Sequence, residues 1–179
     1  KSIIDDFSSL KVCVIGDLIV DEYITCEPLG MSQEDPTIVV TPVDTTRFIG
    51  GAGIVAAHAA GLGAKVKLIT VVGNDSSHTF AENKLSEFGV TTSLIVDDSR
   101  PTTVKQRFRS KGKTLLRVSH LHQSTISPSY QSIFLKNVKS IIDKVDLLVF
   151  SDFNYGCLPQ DLVDQIVTLA KENNVMLAA

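Results

Sequence analysis

The sequence predicts a doubly wound, Rossmann-like α/β fold in which a parallel sheet carries a second, smaller β-sheet. Three observations support this prediction. Apolar runs typical of buried parallel strands alternate with helical segments along most of the 179 residues. Two regions, at about residues 22–48 and 101–118, instead interleave polar with apolar residues, as strands with one exposed face do. Hydrophobic residues make up 44% of the chain and charged residues 21%, which is enough apolar material for a substantial core.

The first strand is predicted at residues 11–15, a continuous apolar run that ends at Gly16-Asp17. Such a run is typical of a central strand that is buried on both faces. The half-exposed strands follow at residues 22–30 and 37–48, where β-branched and polar residues are interleaved. We expect these two strands to belong to the smaller sheet, because only one of their faces is apolar.

A glycine-rich turn leads from the smaller sheet into the first helix, which is predicted over residues 51–62. Gly50 and Gly51 lack a Cβ atom, so the backbone there can adopt positive φ and approach a ligand closely. The helix that follows is rich in alanine, and its first N–H groups are free to bind an anionic or polar ligand. Leu62-Gly63 then ends the helix with a C-terminal glycine.

The second half of the chain continues the alternation of strands and helices. We predict a strand at 66–72, a helix at 77–88 capped by Asp75 or Ser76, a short strand at 94–96, a hairpin of 102–110 and 114–118, a helix at 128–143, a strand at 146–150, a helix at 159–174 and a strand from Val175. Ser127-Pro128 suits the first turn of a helix, because proline lacks the N–H that this turn leaves unpaired. Ligands of such folds bind beyond the carboxyl ends of the parallel strands.

Composition argues against several classes of function. The formal net charge of −3 gives no electrostatic reason for nucleic-acid binding. No apolar run approaches the ~20 residues that cross a bilayer, and the N-terminal residues do not resemble a signal peptide. The three cysteines share no CxxC spacing, and the four histidines show no metal-ligand spacing. We therefore predict reduced thiols, a cytoplasmic location and no metal site among these side chains.

Three carboxylates follow the predicted parallel strands and are candidates for binding a polyol. Asp17 and Asp21 come after the first strand, and Asp152 comes after the strand at 146–150. A carboxylate at such a place can accept hydrogen bonds from two hydroxyl groups at once. Each of them could instead cap a loop or a helix, and for Asp75 capping is the favoured interpretation.

Lys105, Arg107 and Arg109 alternate along one predicted strand, so their side chains point to the same face of the smaller sheet. Three cations on one face can bind a phosphate group, because arginine binds phosphate through two parallel N–H groups. A solvated, charged face is the alternative interpretation of the same pattern.

Together these motifs resemble those of the ribokinase-like, PfkB-type carbohydrate kinases over essentially the whole chain. The family's Gly-Asp-x-x-x-Asp matches residues 16–21, its glycine-glycine helix start matches residues 50–63, and its Val-Gly-x-Asp turn matches residues 72–75. Within the family the chain is most similar to the heptose-7-phosphate kinase domain of bacterial bifunctional kinase/adenylyltransferases. The motifs for this similarity are Ser32-Gln33-Glu34-Asp35-Pro36, Pro101-Thr102 with Lys105 and Arg107, and Ser151-Asp152-Phe153 with Gly156.

The resemblance implies a ribokinase-like fold with a β-sheet lid that is often used for homodimer formation. It implies transfer of the γ-phosphoryl group of ATP, with Mg²⁺, to a hydroxyl group of a sugar or sugar phosphate. Asp21 matches a ligand of the sugar hydroxyls, and Gly50 and Gly51 match glycines that contact the sugar. Lys105 and Arg107 match lid positions that can face a sugar phosphate.

The chain departs from the family pattern at three positions. The asparagine of the glycine signature is Ile54, the second glycine of the Gly-x-Asp-x-x-Gly turn is His78, and a lysine of the Ser-Asp-Tyr-x-Lys-Gly segment is Tyr155. We expect Ile54 and Tyr155 to change the sugar pocket, so the resemblance does not identify the sugar.

The family's catalytic Gly-Ala-Gly-Asp motif, whose aspartate is the base, has no match in these 179 residues, and neither has its Asn-x-x-Glu motif. Gly51-Ala52-Gly53 is followed by Ile54 and is a different motif. We therefore expect residues 1–179 to be the N-terminal part of a longer kinase domain that lacks the C-terminal half. The catalytic base and most groups that bind ATP and Mg²⁺ are then expected beyond residue 179. This part alone is expected to be inactive, because phosphoryl transfer needs an oriented nucleophile and charge stabilisation.

Two other functions remain open at this point. Gly51-x-Gly53-x-x-Ala56 fits a loose dinucleotide-binding fingerprint, with Asp75 at about the distance of a ribose ligand, and would indicate an oxidoreductase. Residues 45–48, however, are polar, whereas this fingerprint follows a buried strand directly. The other alternative is a degenerate kinase domain that only binds sugar or serves as a dimerisation scaffold.

Overall fold

The computed structural model describes residues 7–179, which form two β-sheets with helices packed on the larger one. The strands are β1 (Lys11–Gly16), β2 (Leu18–Met31), β3 (Ile38–Gly51), β4 (Lys65–Val72), β5 (Thr91–Val96), β6 (Thr103–Ser110), β7 (Lys113–His120), β8 (Leu147–Ser151) and β9 (Met176–Ala178). The helices are α1 (Ala52–Gly61), α2 (Ser76–Glu87), α3 (Pro128–Lys139) and α4 (Gln160–Glu172), and a short 3-10 helix spans Ile142–Lys144.

The larger sheet has five parallel strands in the order β5-β4-β1-β8-β9, which confirms the predicted doubly wound α/β class. Successive residues of the central strand β1 point to opposite faces of this sheet. Val12 and Val14 pack into a core with α1 and α2 on one face. Cys13 and Ile15 pack into a second core with α3 and α4 on the other face. Burial on both faces explains why β1 is continuously apolar.

The smaller sheet has four strands in the order β3-β2-β6-β7, which confirms that a second sheet is attached. β2 pairs antiparallel with β3 and parallel with β6, and β6 forms the predicted hairpin with β7. β2 begins at Leu18 rather than at residue 22, so Asp17 alone separates it from β1. The chain can turn this sharply because Gly16 has a φ of 141°.

Hydrogen bonds from the Thr70 hydroxyl and from the backbone hold the corner where the two sheets meet. The buried Thr70 hydroxyl of β4 donates to the Gly16 carbonyl at 2.6 Å and accepts the Leu18 N–H at 3.3 Å. The Asp17 carbonyl accepts the N–H of Ala52, the first residue of α1, at 2.9 Å. These bonds fix the start of β2 and the end of β3 at the carboxyl ends of the parallel strands. The inner face of the smaller sheet therefore lies where ligands of α/β folds bind.

Candidate functional site

A cleft of about 770 Å³ lies between the inner face of the smaller sheet and the glycine turn that opens α1. Five of the seven residues predicted to bind substrate line this cleft. They are Asp21, Gly50, Gly51, Lys105 and Arg107. The structure thus brings together residues that are up to about half the chain apart in sequence.

Strand register explains how these side chains come to share one face. In the parallel pair of β2 and β6, Asp21 lies opposite Lys105 and Tyr23 lies opposite Arg107. Alternate residues of a strand point to the same side, so these four side chains and that of Arg109 all face the cleft. The predicted common face for the three cations is therefore observed.

Asp21 forms an ion pair with Arg107 inside the cleft. Arg107 Nη1 donates to Asp21 Oδ1, and the two side chains are 24% and 21% exposed, respectively. The hydrogen bond to Asp21 raises the pKa of the Arg107 guanidinium above its usual value. Gly50 lies against the other carboxylate oxygen, because a Cβ atom at this position would overlap Asp21 Oδ2. The absence of a side chain at Gly50 thus allows the carboxylate to lie where it does.

The cleft is positively charged although the chain as a whole is negative. Three cationic side chains and one carboxylate line it, whereas the chain has a formal net charge of −3. The guanidinium carbons of Arg107 and Arg109 lie 5.1 and 5.6 Å from the centre of the Tyr23 ring. Such cation–π contacts hold the two cations at the cleft surface. This arrangement suits an anionic ligand that also carries hydroxyl groups.

Lys105 is held by two aromatic rings that do not belong to the smaller sheet. Its Nζ atom lies 5.3 Å from the centre of the Phe153 ring and 5.0 Å from the centre of the Tyr155 ring. The two rings stack on each other at 6.4 Å with an interplanar angle of 23°. Sequence reasoning missed the role of these rings, and of Tyr23, because no local spacing connects them to the cations.

Asp17 and Asp152 do not line the cleft. Asp17 is 4% exposed, and its Oδ2 accepts the N–H groups of Phe153 at 2.8 Å and Tyr155 at 3.2 Å. Burial raises its pKa, against the opposing effect of these two hydrogen bonds. Asp152 is exposed, accepts the N–H of Asn154 at 2.8 Å and borders a separate groove beside β9. The direct substrate contact predicted for these two acids stays a prediction, and their placement does not support it.

Asp75 caps α2, as expected for this position. Its Oδ1 accepts the N–H groups of Ser77 at 3.0 Å and His78 at 2.9 Å, and its Oδ2 accepts the N–H of Thr102 at 2.8 Å. Burial alone would raise the pKa of Asp75, but these hydrogen bonds outweigh burial and the pKa is lowered. Asp75 thereby ties the start of α2 to the segment that enters β6.

The geometry disfavours a dinucleotide site at the glycine turn. The turn follows β3, a strand of the smaller sheet, whereas the dinucleotide fingerprint follows a buried strand of the parallel sheet. The Asp75 carboxylate, which would have to bind a ribose, is engaged by three backbone N–H groups.

Within residues 7–179, no group of three histidine, cysteine or acidic side chains is arranged to hold a metal ion. None of the helices in this range is long and apolar enough to cross a membrane.

The chain matches the family model described as pfkB family carbohydrate kinase over residues 9–178. The bifunctional protein HldE of Desulfatibacillum aliphaticivorans is 34% identical over 166 residues, which cover 92% of this chain and 34% of that protein. The bifunctional protein HldE of Helicobacter hepaticus is 34% identical over 172 residues, which cover 94% of this chain and 35% of that protein. The chain therefore spans about a third of the length of these curated relatives.

Solved structures show the same ribokinase-like fold. A carbohydrate kinase from Agrobacterium tumefaciens matches with a TM-score of 0.70 at 18% identity, covering 94% of this chain and 53% of that one. Arabidopsis thaliana ribokinase, complexed with ribose and ATP, matches with a TM-score of 0.66 at 16% identity, covering 94% of this chain and 52% of that one. The chain thus corresponds to about half of each of these kinase structures.

Proposed function

The chain belongs to the pfkB family of carbohydrate kinases, and on this premise we propose that the whole protein phosphorylates a hydroxyl group of a sugar phosphate. In this proposal residues 1–179 supply the half of the kinase domain that binds the sugar. The observation that supports it is the cleft in which Asp21, Gly50 and Gly51 meet Lys105 and Arg107. A carboxylate for hydroxyl groups and cations for a phosphate are the groups that such an acceptor needs.

Each group of the cleft has a distinct task in the proposed complex. Asp21 accepts hydrogen bonds from sugar hydroxyls through the oxygen beside Gly50. Gly50 and Gly51 let the sugar approach the backbone, because neither has a Cβ atom that would fill the space. Arg107 and Lys105 bind the phosphate of the acceptor, and the positive charge of the cleft favours this acceptor over a neutral sugar.

The catalytic base and the groups that bind ATP and Mg²⁺ are proposed to lie outside these 179 residues. Two carboxylates near the cleft already have partners. Asp21 pairs with Arg107, and Asp17 accepts two backbone N–H groups. No group of three histidine, cysteine or acidic side chains in residues 7–179 is arranged to hold a metal ion, and in this proposal Mg²⁺ is bound together with ATP by groups outside these residues. No step of phosphoryl transfer is therefore assigned to them, and ATP would supply the transferred group.

We also propose that the smaller sheet carries the contact of a homodimer. Strands β2, β3 and β7 of this sheet expose large apolar side chains, at 38–66% of their surface. They include Leu29, Met31, Ile38, Val43, Leu115 and Leu116. Exposed apolar patches of this kind mark interaction surfaces.

All three cysteines are buried free thiols, which supports the proposed reducing, cytoplasmic compartment.

The test measures Mg²⁺-dependent ATP consumption by the full-length protein with pairs of sugars and their phosphates. Asp21→Ala should reduce kcat/KM at least about tenfold, because a hydrogen bond to a charged group is lost. Asp143→Ala, an exposed acid on the 3-10 helix, is the matched control and should leave kcat/KM unchanged. Turnover that is insensitive to Asp21→Ala would contradict the assigned site. A folded protein that binds sugar phosphate without turnover would indicate the degenerate sugar-binding or dimerisation domain instead.

A further inference from the structure

We propose that Asp17, Phe153 and Tyr155 are positioning residues that hold Lys105 of the smaller sheet at a fixed place in the cleft. Asp17 fixes the loop that follows β8, and the two aromatic rings of this loop hold the Lys105 ammonium group. The inference rests on the proposed function only in assigning Lys105 to the acceptor phosphate.

Asp17 is attached to the larger sheet and to α1 through its backbone. The Asp17 N–H donates to the Ser151 carbonyl at 3.0 Å, and its own carbonyl accepts the Ala52 N–H at 2.9 Å. With its backbone fixed on both sides, Asp17 directs a buried carboxylate at the N–H groups of Phe153 and Tyr155. Loss of this acceptor would leave two N–H groups without a partner, which is unfavourable in a buried place. Asp17 therefore determines the path of the loop.

The loop after β8 is also held by hydrogen bonds of its own. Asn154 has a φ of 60°, and its N–H donates to the Asp152 carboxylate at 2.8 Å. Arg100 Nη1 donates to the Tyr155 carbonyl at 3.3 Å, while Arg100 Nε forms a buried ion pair with Asp97 at 2.8 Å. The loop is thus held from the larger sheet and from the segment before β6. The backbone that carries the two rings is therefore tied to the parallel strands.

Both rings of this loop contact Lys105. The ammonium lies 5.3 and 5.0 Å from the two ring centres, within the range of a cation–π contact. Arg107 and Arg109, in contrast, lie over Tyr23 of their own sheet. A lysine side chain is flexible and loses much rotamer freedom when it is fixed, so two rings are a suitable means of holding it. Among the three cations, Lys105 is the one whose place depends on the larger sheet.

Displacement of the rings should therefore weaken binding of the acceptor phosphate without affecting ATP. We expect replacement of both rings, Phe153→Leu together with Tyr155→Leu, to raise the KM for the acceptor about three- to tenfold, as loss of cation–π contacts does. The KM for ATP should not change. Tyr155→Phe keeps an aromatic face beside Lys105 and should leave the KM for the acceptor at its wild-type value.

A second measurement tests the positioning without using kinase activity. In full-length protein labelled with ¹³C-lysine, aromatic faces should shift the ε-methylene proton signals of Lys105 upfield of those of exposed lysines, and Lys105→Arg assigns the signal. The double leucine variant and Asp17→Ala should both lose this shift, whereas Tyr155→Phe should retain it. Phe88→Leu is the matched control, because Lys84 lies 5.3 Å from the Phe88 ring. It should move the Lys84 signal and leave that of Lys105 in place.

The outcomes separate this inference from the proposed function. If the wild-type Lys105 signal shows no ring shift, or keeps it in the double leucine variant, the inference is wrong whether or not the protein is a kinase. If the shift is lost in the folded variant while the acceptor KM stays unchanged, the position of Lys105 does not matter to substrate binding. If the shift behaves as expected but no sugar phosphate is phosphorylated, the positioning stands and the proposed function fails. Should Asp17→Ala not fold, Asp17→Asn keeps a side-chain acceptor and should retain the shift.

Discussion

Gly50→Ala is expected to disable the cleft while leaving the fold intact. A Cβ atom at this position would overlap Asp21 Oδ2, whereas its next neighbours, Asp21 Cγ and Ile19 Cβ, lie at an ordinary 3.5 Å. Gly50 is not among the glycines with positive φ, so alanine fits its backbone conformation. The overlapping atom ends a rotatable side chain, so the carboxylate can turn away, and the partly exposed ion pair with Arg107 that it gives up contributes at most about 1 kcal/mol.

The turned carboxylate would no longer face a sugar hydroxyl beside Gly50. A hydrogen bond to a charged group contributes about 1.5–3 kcal/mol, which corresponds to about a 10- to 150-fold loss of affinity. The KM for the acceptor should rise by that factor. The free energy of unfolding, measured by urea denaturation of the full-length protein, should change by less than about 1 kcal/mol.

Gly51→Ala should do the opposite and mainly destabilise the fold. Gly51 has φ 55° and ψ −138°, and this backbone strain alone would cost an alanine about 1–3 kcal/mol. The new Cβ atom would also overlap the Asp17 carbonyl oxygen, a backbone atom that already accepts the Ala52 N–H at 2.9 Å. Gly61→Ala near the end of α1 is the control, because a Cβ there meets nothing within 4 Å and should stabilise by up to about 1 kcal/mol. An unchanged acceptor KM in Gly50→Ala, or a destabilisation as large as that of Gly51→Ala, would contradict the assigned contact between Gly50 and Asp21.

Thr70→Val should destabilise the protein by about 1–3 kcal/mol in urea denaturation, since its buried hydroxyl bonds the corner between the sheets. The exposed Thr168→Val is its control, and equal effects of the two would contradict this prediction. Asp75 has a lowered pKa because its hydrogen bonds outweigh burial, so its stabilisation is present above the unfolded pKa near 3.9 and is lost as pH falls through the folded pKa. In Asp75→Ala the free energy of unfolding should therefore fall less steeply as the pH is lowered below about 4. The same steepness as in the wild-type protein would contradict this role of Asp75. Leu116→Glu should reduce the dimer fraction in sedimentation velocity, whereas Leu62→Glu, at 54% exposure against 56%, should not; equal dimer fractions would exclude this contact.

The order of the elements could be predicted because each class of strand has its own pattern in the sequence. Strands buried on both faces are continuously apolar, and those of the smaller sheet interleave polar residues. The boundaries were less predictable. The helix expected at 128–143 ends at Lys139 and is followed by a 3-10 helix at Ile142–Lys144, with Ile142 buried in the core of that face. Helical periodicity continues through this break, so the pattern alone did not reveal it.

Five site residues could be placed in one cleft because strand alternation determines which side chains share a face. The roles of the two acids in Gly16-Asp17-x-x-x-Asp21 could not be separated in this way. Asp17 binds N–H groups that lie 136 and 138 residues later in the chain, and no local pattern announces such partners. The same holds for Lys105 and the rings of Phe153 and Tyr155, which come together only when the loop after β8 is in place.

The ion pair between Asp21 and Arg107 bears on how the proposed kinase would distinguish its acceptors. A neutral sugar would reach only the Asp21 oxygen beside Gly50, because Arg107 holds the other one, and it would leave the positive charge of the cleft unbalanced. A phosphorylated sugar offers Arg107 a second anionic partner, so that the second carboxylate oxygen also becomes free to accept a hydroxyl group. The phosphate of the acceptor would thus both balance the cations and release the ligand of the sugar ring. The contact between the acceptor phosphate and Arg107 would therefore have two consequences. It would select a charged acceptor, and it would let Asp21 orient the hydroxyl groups of that acceptor.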